Sequence, residues 1–445
     1  MQRVEPEPSR IGTVAAVTLV VLAILVSVGA YVLVVLGETG RTPEGVAGFV
    51  AAFGLAYVGA YLVVRRVAPG ADPVFLPCAA ALAGLGYALV YRLDPDLADN
   101  QFYWLMLGLG LFCLTLVLVR DHRSLEPYGY TIGLIGIGFL LLPIVPGLGL
   151  TINGARLWIH LGSITFQPAE VAKVLIVISL ASYLSAKKDL LASATRRVGP
   201  LRLPEPRYLG PLLLAWFASL GVLFVENDLG SSLLFFGVFV VMLWVATGRG
   251  IYLAFGVLLF VAGAALGYAL IPHVQDRVTI WLHALQPKYI HDLGYQLAQS
   301  EFAMATGGIV GTGLGRGHPG LIPYAATDFI YGAAGEELGL LGVTAMLLVY
   351  VIVVGRGLKA AVVRQDPFSK LLAVGLSTVI ALQTFVIVGG VTRLIPLTGI
   401  TLPFVSYGGS SLVTNFVLVA LLVRVSARDR ASPARPRLPK EAEAR

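Results

Sequence analysis

Residues 327–354 read TDFIYGAAGEELGLLGVTAMLLVYVIVV, a long apolar run that opens with an aspartate. The run is long enough to cross a bilayer, which needs roughly 20 helical residues. Asp328 stands at its start, and Glu336 and Glu337 follow within it. An ionised group at such depth costs about 2.5 to 3.5 kcal/mol on insertion scales, so it normally faces a protein interior or a wet cavity. This stretch therefore predicts a membrane helix that begins at a functional site.

The composition of the whole chain indicates an integral membrane protein. Of its 445 residues, 57% are hydrophobic and only 13% are charged. A soluble domain of this size would leave too much apolar surface in water. We predict an all-α, polytopic membrane helix bundle of about twelve transmembrane helices, at residues 11–36, 44–66, 73–93, 101–119, 127–146, 169–186, 209–225, 229–247, 251–271, 327–355, 369–392 and 404–427.

Basic residues predict the orientation of this bundle. If both termini are cytoplasmic, most of the 32 Lys and Arg fall in inner segments, which is the positive-inside pattern. The predicted organisation is a cytoplasmic N-terminus (1–10), a single multi-pass membrane domain (11–428) and a cytoplasmic tail (429–445). The first span is expected to stay as a signal anchor, because its apolar run exceeds that of a cleaved signal peptide. The net charge of +7 thus reflects topology rather than nucleic-acid binding.

Cysteine and histidine positions show no metal-site or disulfide pattern. Cys78 and Cys113 lie in predicted spans, where cysteine is usually a small apolar packing residue. His273, His283 and His291 share one outer loop, but their spacings match no zinc signature. We therefore predict no metal site from these residues.

A long outer loop, residues 272–326, separates the ninth and tenth predicted helices, and loops of this length tend to be functional. Its segment GTGLGRG (311–317) superficially suggests a nucleotide-binding turn, but it lacks the G-x-G-x-x-G spacing and a preceding strand. We interpret the segment as a flexible hinge whose glycines let the backbone approach a ligand or the membrane.

The motif NGARLWIHLGSITFQPAEVAK carries four substrate-binding candidates on the outer side. Arg156 offers a planar fork for a phosphate, and Trp158 is either an interfacial belt residue or a platform for a sugar or lipid head group. Glu170 and Lys173 lie three residues apart in the favourable order for an ion pair on a helix. That pair either orients the helix or binds a ligand directly, and the sequence leaves both interpretations open.

Three other outer motifs carry polar residues. In ENDLGSS, Asp228 is predicted to cap the next helix. In YQLAQS, Gln296 and Ser300 are polar positions of a short interfacial helix. ITLPFVSYGGSS is predicted to form a broken helix start that lines a cavity, with Ser406 and Ser410 as contributors.

Six motifs resemble, in their order and spacing, those of the SEDS family (shape, elongation, division and sporulation). They are NGARLWI, FQPAEVAK, ENDLGSS, YQLAQS, TDFIYGAAGEELG and LTGITLPFVSYGGSS. They cover residues 153–428. The resemblance implies a peptidoglycan glycosyltransferase that polymerises lipid II at the outer face of the plasma membrane. It also implies a single-span class B penicillin-binding transpeptidase as partner. Two extra N-terminal helices (11–66) ahead of the family core (about 73–428) favour the RodA type, for elongation, over the FtsW type, for division.

Asp328 is the predicted general base of that reaction, and the resemblance places the family's essential aspartate there. Polymerisation joins an anomeric carbon, activated by a polyprenyl pyrophosphate, to a sugar 4-hydroxyl. A single displacement with one carboxylate predicts inversion. Arg156, then Lys173, are the predicted pyrophosphate ligands. A divalent cation (Mg or Mn) could assist, although the sequence shows no ligand set for it. Ala326 stands where the family usually has histidine.

A glycine stripe shares the helix face of Asp328. At 100° per residue, Gly332, Gly335 and Gly339 lie within about 40° of its direction. Small residues allow another helix or a lipid chain to lie close. We predict that the stripe forms one wall of a groove for the polyprenyl tail, and that Glu336, off the stripe, serves packing or a polar bridge.

Two other functions compete with polymerisation. Buried acids and broken helices are also features of transporters, so a flippase for lipid-linked precursor is the main alternative. The gathering of polar motifs at the outer face argues against it. An O-antigen-type ligase is disfavoured by the motif set.

Overall fold

The computed structural model describes residues 10–42, 45–152, 155–162, 164–193, 195–198, 201–204, 213–214, 217–218, 221–222 and 228–427. Long α-helices dominate it. They are α1 (Arg10–Thr39), α2 (Val46–Val67), α3 (Phe75–Leu93), α4 (Pro95–Leu118), α5 (Gly129–Leu141), α6 (Pro168–Ser193), α7 (Leu229–Thr247), α8 (Gly250–Leu270), α9 (Pro272–His283), α10 (Tyr295–Gly307), α11 (Ile330–Val363), α12 (Pro367–Val391) and α13 (Gly409–Ser426).

Eleven helical segments of the described ranges are long and apolar enough to cross a membrane. They are α1 to α8 and α11 to α13, with α5 extended by 3-10 turns at both ends. The predicted multi-pass helical bundle is therefore confirmed. The predicted span at 209–225 lies largely outside the described residues. The short helices α9 and α10 belong to the outer loop.

Burial shows which helices form the centre of the bundle. In the most apolar 18-residue stretch of each helix, the buried share of the residues is 83% in α13, 78% in α12 and 67% in α3. The corresponding share is only 17% in α2 and in α8. Helix α13 packs on α4, α12 on α11, and the additional helix α1 on α3. Lipid therefore contacts mainly the peripheral helices, while the polar motifs lie at the ends of central ones.

A small antiparallel sheet fills the connection between α5 and α6, where the sequence analysis predicted no strand. It consists of β1 (Gly149–Ile152), β2 (Ala155–Leu161) and β3 (Ile164–Phe166), in the order β1-β2-β3. The pair Asn-Gly between β1 and β2 in the sequence is a hairpin signal that could have revealed it. A further hairpin joins β4 (Thr195–Val198) and β5 (Leu201–Pro204).

Helix α11 is interrupted at Gly339, which has φ 66° and ψ −176°. The interruption leaves backbone groups without helical partners, and residues 308–313 of the outer loop supply them. The amide of Thr312 donates to the carbonyl of Glu336 (2.9 Å), and that of Leu340 donates to Gly308 (2.9 Å). The prediction of a flexible hinge at 311–317 is wrong, because Gly311 docks against the backbone of α11 and Gly315 docks against the backbone of α1.

Glu336 and Glu337 hold the same loop with their side chains. The amide of His318 donates to Glu336 Oε1 (2.8 Å), and that of Gly315 to Glu337 Oε2 (3.1 Å). Arg92 of α3 also donates to Glu337, through Nε at 3.0 Å. Both acids are buried, and these contacts offset part of the free-energy cost of removing the carboxylates from water. The two acids therefore hold the outer loop against α11.

The glycine face of α11 is covered by α10. A β-carbon on Gly335 would lie 2.8 Å from Met304 Cγ, and one on Gly332 would overlap Ser300. Gly339 is the helix break rather than part of a continuous face. The prediction of a groove for a polyprenyl tail along this stripe is wrong, because a helix of the same chain already lies there.

Gly335→Leu is therefore expected to destabilise the fold, by about 1 to 3 kcal/mol, as overpacked sites do. Thermal unfolding of the purified protein in detergent measures the effect. Gly355→Leu is the matched control, because nothing lies within 4 Å of a β-carbon added at that position of the same helix. An unchanged midpoint for Gly335→Leu would contradict the close packing of α10 on α11.

Candidate active site

Asp328 lies just ahead of α11 and does not cap it. The N-cap position is Phe329, without a side-chain cap bond. The segment is held from the other side by the loop that precedes α13: Ser406 Oγ donates to the carbonyl of Thr327 (2.6 Å), and the amide of Tyr407 to that of Ala326 (2.7 Å). The carboxyl group is thereby fixed in position while remaining partly exposed.

Gly399 lies directly against this carboxyl group. It has φ +74°, and a β-carbon added there would lie 3.6 Å from Asp328 Oδ2. Glycine adopts this left-handed conformation without the steric cost that other residues meet. The loop can therefore turn close to the acid and leave space beside it.

Arg277 of α9 is the cation whose charge acts on Asp328. Burial raises the pKa of Asp328 from 3.8 to about 6, and the positive charge of Arg277 opposes that rise. Burial also lowers the pKa of Arg277, which its proximity to Asp328 counteracts. Such a carboxyl group is ionised at neutral pH yet basic enough to take a proton, as general-base catalysis requires.

Helix α9 is fixed by contacts around Arg393. Trp281 Nε1 donates to the Arg393 carbonyl (2.9 Å), and Arg393 Nε donates to the Trp281 carbonyl (3.1 Å). Arg393 also pairs with Glu301 of α10 at 3.2 Å. These bonds position the helix that carries Arg277.

Asp228 is a second acid near this site, and its negative charge raises the pKa of Asp328. It caps α7, because the amide of Ser231 donates to its Oδ1 at 2.9 Å. Its Oδ2 is buried and has no hydrogen-bond partner within the described residues. Burial raises the pKa of Asp228, and the negative charge of Glu170 adds to that rise. A proton or a cationic group of a ligand would therefore be favoured here.

Lys173 is buried at the centre of a polar network that joins α6, α12 and the loop before α13. Its Nζ lies 2.5 Å from Glu170 Oε2 and donates to Gln383 Oε1 at 2.9 Å. Gln383 Nε2 in turn donates to the carbonyl of Thr401 at 2.9 Å. The predicted ion pair is present, and Gln383 is a member that the sequence analysis missed.

Arg156 and Trp158 lie two residues apart on β2. Arg156 Nη2 donates to the carbonyl of Val145 at 3.4 Å, and its Nε lies beside Gly149. Trp158 pairs with Leu150 across the sheet. The guanidinium of Arg156 thus contacts the sheet and the turn before it, and Arg277 is the cation whose charge acts on the pKa of Asp328.

Three predicted substrate-binding serines are buried in structural contacts. Ser300 is covered by Gly332, Ser406 accepts from the amide of Leu402 (2.9 Å), and Ser410 accepts from that of Gln167 (3.1 Å). In this structure their hydroxyls are hydrogen-bonded or enclosed, and their assignment as ligands stays a prediction. Gln296 remains partly exposed on α10.

The residues around Asp328 do not form a metal site. Within the described ranges, no group of three or more His, Cys, Asp or Glu side chains is arranged to hold a metal ion.

The fold and this acidic centre define a polytopic membrane protein in which a partly exposed carboxyl group, Asp328, is fixed among buried polar residues. The family model for FtsW/RodA/SpoVE, described as cell cycle protein, matches residues 92–431. The chain belongs to this family, as the sequence resemblance predicted.

Relatives and solved structures agree with that assignment. The chain is 46% identical over 400 residues to the peptidoglycan glycosyltransferase RodA of Mycobacterium tuberculosis, covering 86% of this chain and 84% of the relative. It is 42% identical to RodA of Mycobacterium leprae, covering 93% and 90%. A peptidoglycan synthase complex that coordinates polymerization and crosslinking matches with a TM-score of 0.63, at 27% identity over 80% of this chain and 98% of that one.

The rod shape determining protein RodA of Thermus thermophilus matches with a TM-score of 0.56, at 27% identity over 80% of this chain and 97% of that one. A probable FtsW of Geobacter sulfurreducens is 34% identical, covering 81% of this chain and 96% of the relative. The higher identity to RodA proteins supports the RodA type that the extra N-terminal helices suggested.

Proposed function

We propose that this chain is a peptidoglycan glycosyltransferase that polymerises lipid II into glycan strands during cell elongation. The observation that carries the proposal is Asp328, a fixed and partly exposed carboxyl group with a raised pKa beside Arg277. The similarity to RodA proteins over most of the chain supports the same reaction.

Asp328 acts as the general base. It takes the proton of the acceptor 4-hydroxyl while that oxygen forms a bond to the anomeric carbon of the donor. The bond from that carbon to the polyprenyl pyrophosphate breaks, and the leaving group departs with the electron pair. A single displacement of this kind inverts the anomeric centre. The proton remains on Asp328 until solvent takes it up.

Arg277 has two roles in this proposal. Its charge keeps Asp328 ionised near neutral pH, and its guanidinium fork suits a phosphate oxygen of the leaving group. Lys173 contributes positive charge deeper in the site, although its bonds to Glu170 and Gln383 restrict its movement. No step is assigned to a divalent cation, because the described side chains provide no ligand set.

Orientation and partner are also part of the proposal. Asp328 faces outward and both termini are cytoplasmic, which the distribution of Lys and Arg supports. The partner is a class B penicillin-binding transpeptidase, which the similarity to a complex for polymerization and crosslinking supports.

Arg277→Gln is expected to move the acidic limb of the pH–activity profile to higher pH, because loss of the nearby positive charge raises the pKa of Asp328. Relative to the unmodified protein, the activity of Arg277→Gln should therefore be reduced more at pH 6 than at pH 8. Polymerisation of lipid II across this pH range measures the shift. Arg316→Gln, at an exposed arginine of the same outer loop, is the control and should leave the profile unchanged.

The proposed reaction is tested with the purified protein reconstituted in liposomes with lipid II. Glycan strands resolved on a gel, with inverted anomeric configuration in the product, are the expected result. Movement of labelled lipid II between leaflets without strand formation would instead support the flippase.

A further inference from the structure

Helix α9 carries a polar pair on its inward face. Val274 and Ile280 are buried on this face, and His273 and Arg277 are partly buried beside them. At 100° per residue, His273, Arg277 and Ile280 lie within about 60° of one another around the helix. A charged group that is partly withdrawn from water needs polar partners. The pair is therefore placed where a hydrogen bond between its members matters.

The start of α9 packs beside the start of α7. Ile271 and Val274 are buried and form an apolar cluster with Leu229. Leu229 directly follows Asp228, the second acid near the proposed active site. The far end of α9 is held by the bonds around Arg393. Because α9 is fixed at both ends, the place of its polar pair in the site is also fixed.

A hydrogen bond joins the two polar side chains. Arg277 Nε lies 3.4 Å from Nε2 of His273, one helical turn earlier, and donates to it. Nε is the guanidinium nitrogen next to the aliphatic stem, so this bond restrains rotation of the planar group. It uses none of the four N–H groups on the two terminal nitrogens. Those groups are the fork that suits a carboxylate or a phosphate oxygen.

His273 accepts this bond only as the neutral imidazole, with its proton on Nδ1. Burial lowers the pKa of His273 from 6.5, and the positive charge of Arg277 lowers it further, while Asp276 opposes the shift. Helix α8, which packs against α9, contributes no acidic or basic residue. The imidazole is therefore neutral at pH 7 and can serve as the acceptor.

We propose that His273 is a positioning residue for Arg277 in the polymerisation of lipid II. By accepting from Nε, the imidazole holds the plane of the guanidinium, and the terminal nitrogens act on Asp328 and on the leaving phosphate. This role rests on the function proposed above for Arg277. It requires no contact between His273 and the substrate.

His273→Leu keeps an apolar side chain on the inward face and removes the acceptor. We expect kcat to fall about 2- to 10-fold, the usual effect of one lost hydrogen bond, with a smaller change in KM. The acidic limb of the pH–activity profile should move to higher pH, because a loosely held Arg277 keeps Asp328 ionised less well. Initial rates of lipid II polymerisation from pH 5 to 8 measure both effects.

Rescue by a conservative variant separates positioning from packing. His273→Gln supplies an amide oxygen that can accept from Arg277 Nε, so it should restore most of the rate and the original profile. His291→Leu, at an exposed histidine of the same outer loop, is the matched control and should behave as the unmodified protein. Equal losses in His273→Leu and His273→Gln overturn the proposal, as does an unchanged rate and profile in His273→Leu.

A titration without lipid II tests the pair independently of activity. The protein with ¹⁵N-labelled histidine is studied by NMR in nanodiscs, and the His273 signal is assigned by its loss in His273→Gln. In Arg277→Gln the pKa of His273 should rise, because the positive charge that lowers it is removed. An unchanged pKa overturns the pairing. If this pKa rises but the unmodified protein forms no strands, the proposed function fails while the pair remains.

Discussion

Asp328→Asn is expected to abolish strand formation from lipid II, with a loss of at least about 10²- to 10⁴-fold in rate, the usual contribution of a positioned general base. Asparagine retains the size of the side chain but cannot accept the proton of the acceptor hydroxyl. Initial rates of polymerisation by the reconstituted protein measure the effect. Asp292→Asn, at an exposed acid of the same outer loop, is the control and should retain full activity.

The unmodified enzyme should lose activity in acid as Asp328 becomes protonated. Because the pKa of this group is raised to about 6, the rate is expected to rise with pH through that value and level off above it. A rate that stays constant between pH 5 and 7 would contradict the role of Asp328 as base.

The thermal stability of the Asp328→Asn variant distinguishes loss of catalysis from loss of folding. An acid with a raised pKa binds its proton more tightly in the folded state, so stability falls as pH rises from about 4 to about 6. At neutral pH the ionised Asp328 therefore opposes folding, and asparagine removes that cost. The variant should unfold at the same or a higher temperature; a lower midpoint would attribute the lost activity to misfolding.

Lys173→Met is expected to cause the largest loss of stability, about 3 to 5 kcal/mol, as removal of one partner from a buried ion pair does. Lys173 is only 2% exposed, and its loss leaves Glu170 buried without a counter-charge and within reach of the charge of Asp228. Thermal or denaturant unfolding in detergent measures the effect. Lys288→Met, at an exposed lysine of the outer loop, is the control.

The double variant Glu170→Gln with Lys173→Met separates the two interpretations of the pair. Removing both charges should restore most of the stability, since no uncompensated charge remains. If Lys173 also binds the pyrophosphate, this folded variant will remain inactive. Full activity in the restored variant would show that the pair only orients α6.

The parts of the site that the sequence predicted correctly depend on short stretches of chain. The Glu170 to Lys173 pair follows from their spacing on one helix, and the cap at Asp228 follows from its position before α7. The spans follow from runs of apolar residues, because each helix must satisfy its own backbone in lipid. Asp328 was identified by the same hydropathy argument and by the family motif around it.

The predictions that the structure corrected or left untested involve contacts between segments distant in sequence. The stripe of Gly332 and Gly335 correctly indicated close packing, but only the structure shows that α10, rather than a lipid, occupies it. Ser300 was predicted to bind substrate because its residue type is polar, yet its hydroxyl is enclosed by the same packing. Arg156 lies on a sheet that the helical prediction did not contain, and its role as a phosphate ligand stays a prediction.

The sequence by itself determined the membrane setting, the family and the acid at the centre of the site, because these depend on hydropathy and on local motifs. Tertiary structure alone decided that the charge of Arg277 acts on Asp328, that Gln383 completes the Lys173 network, and that the outer loop fills the break at Gly339. Each of these contacts depends on how separate helices dock. Docking is set by the shape and polar groups of whole faces, which no single stretch of residues encodes.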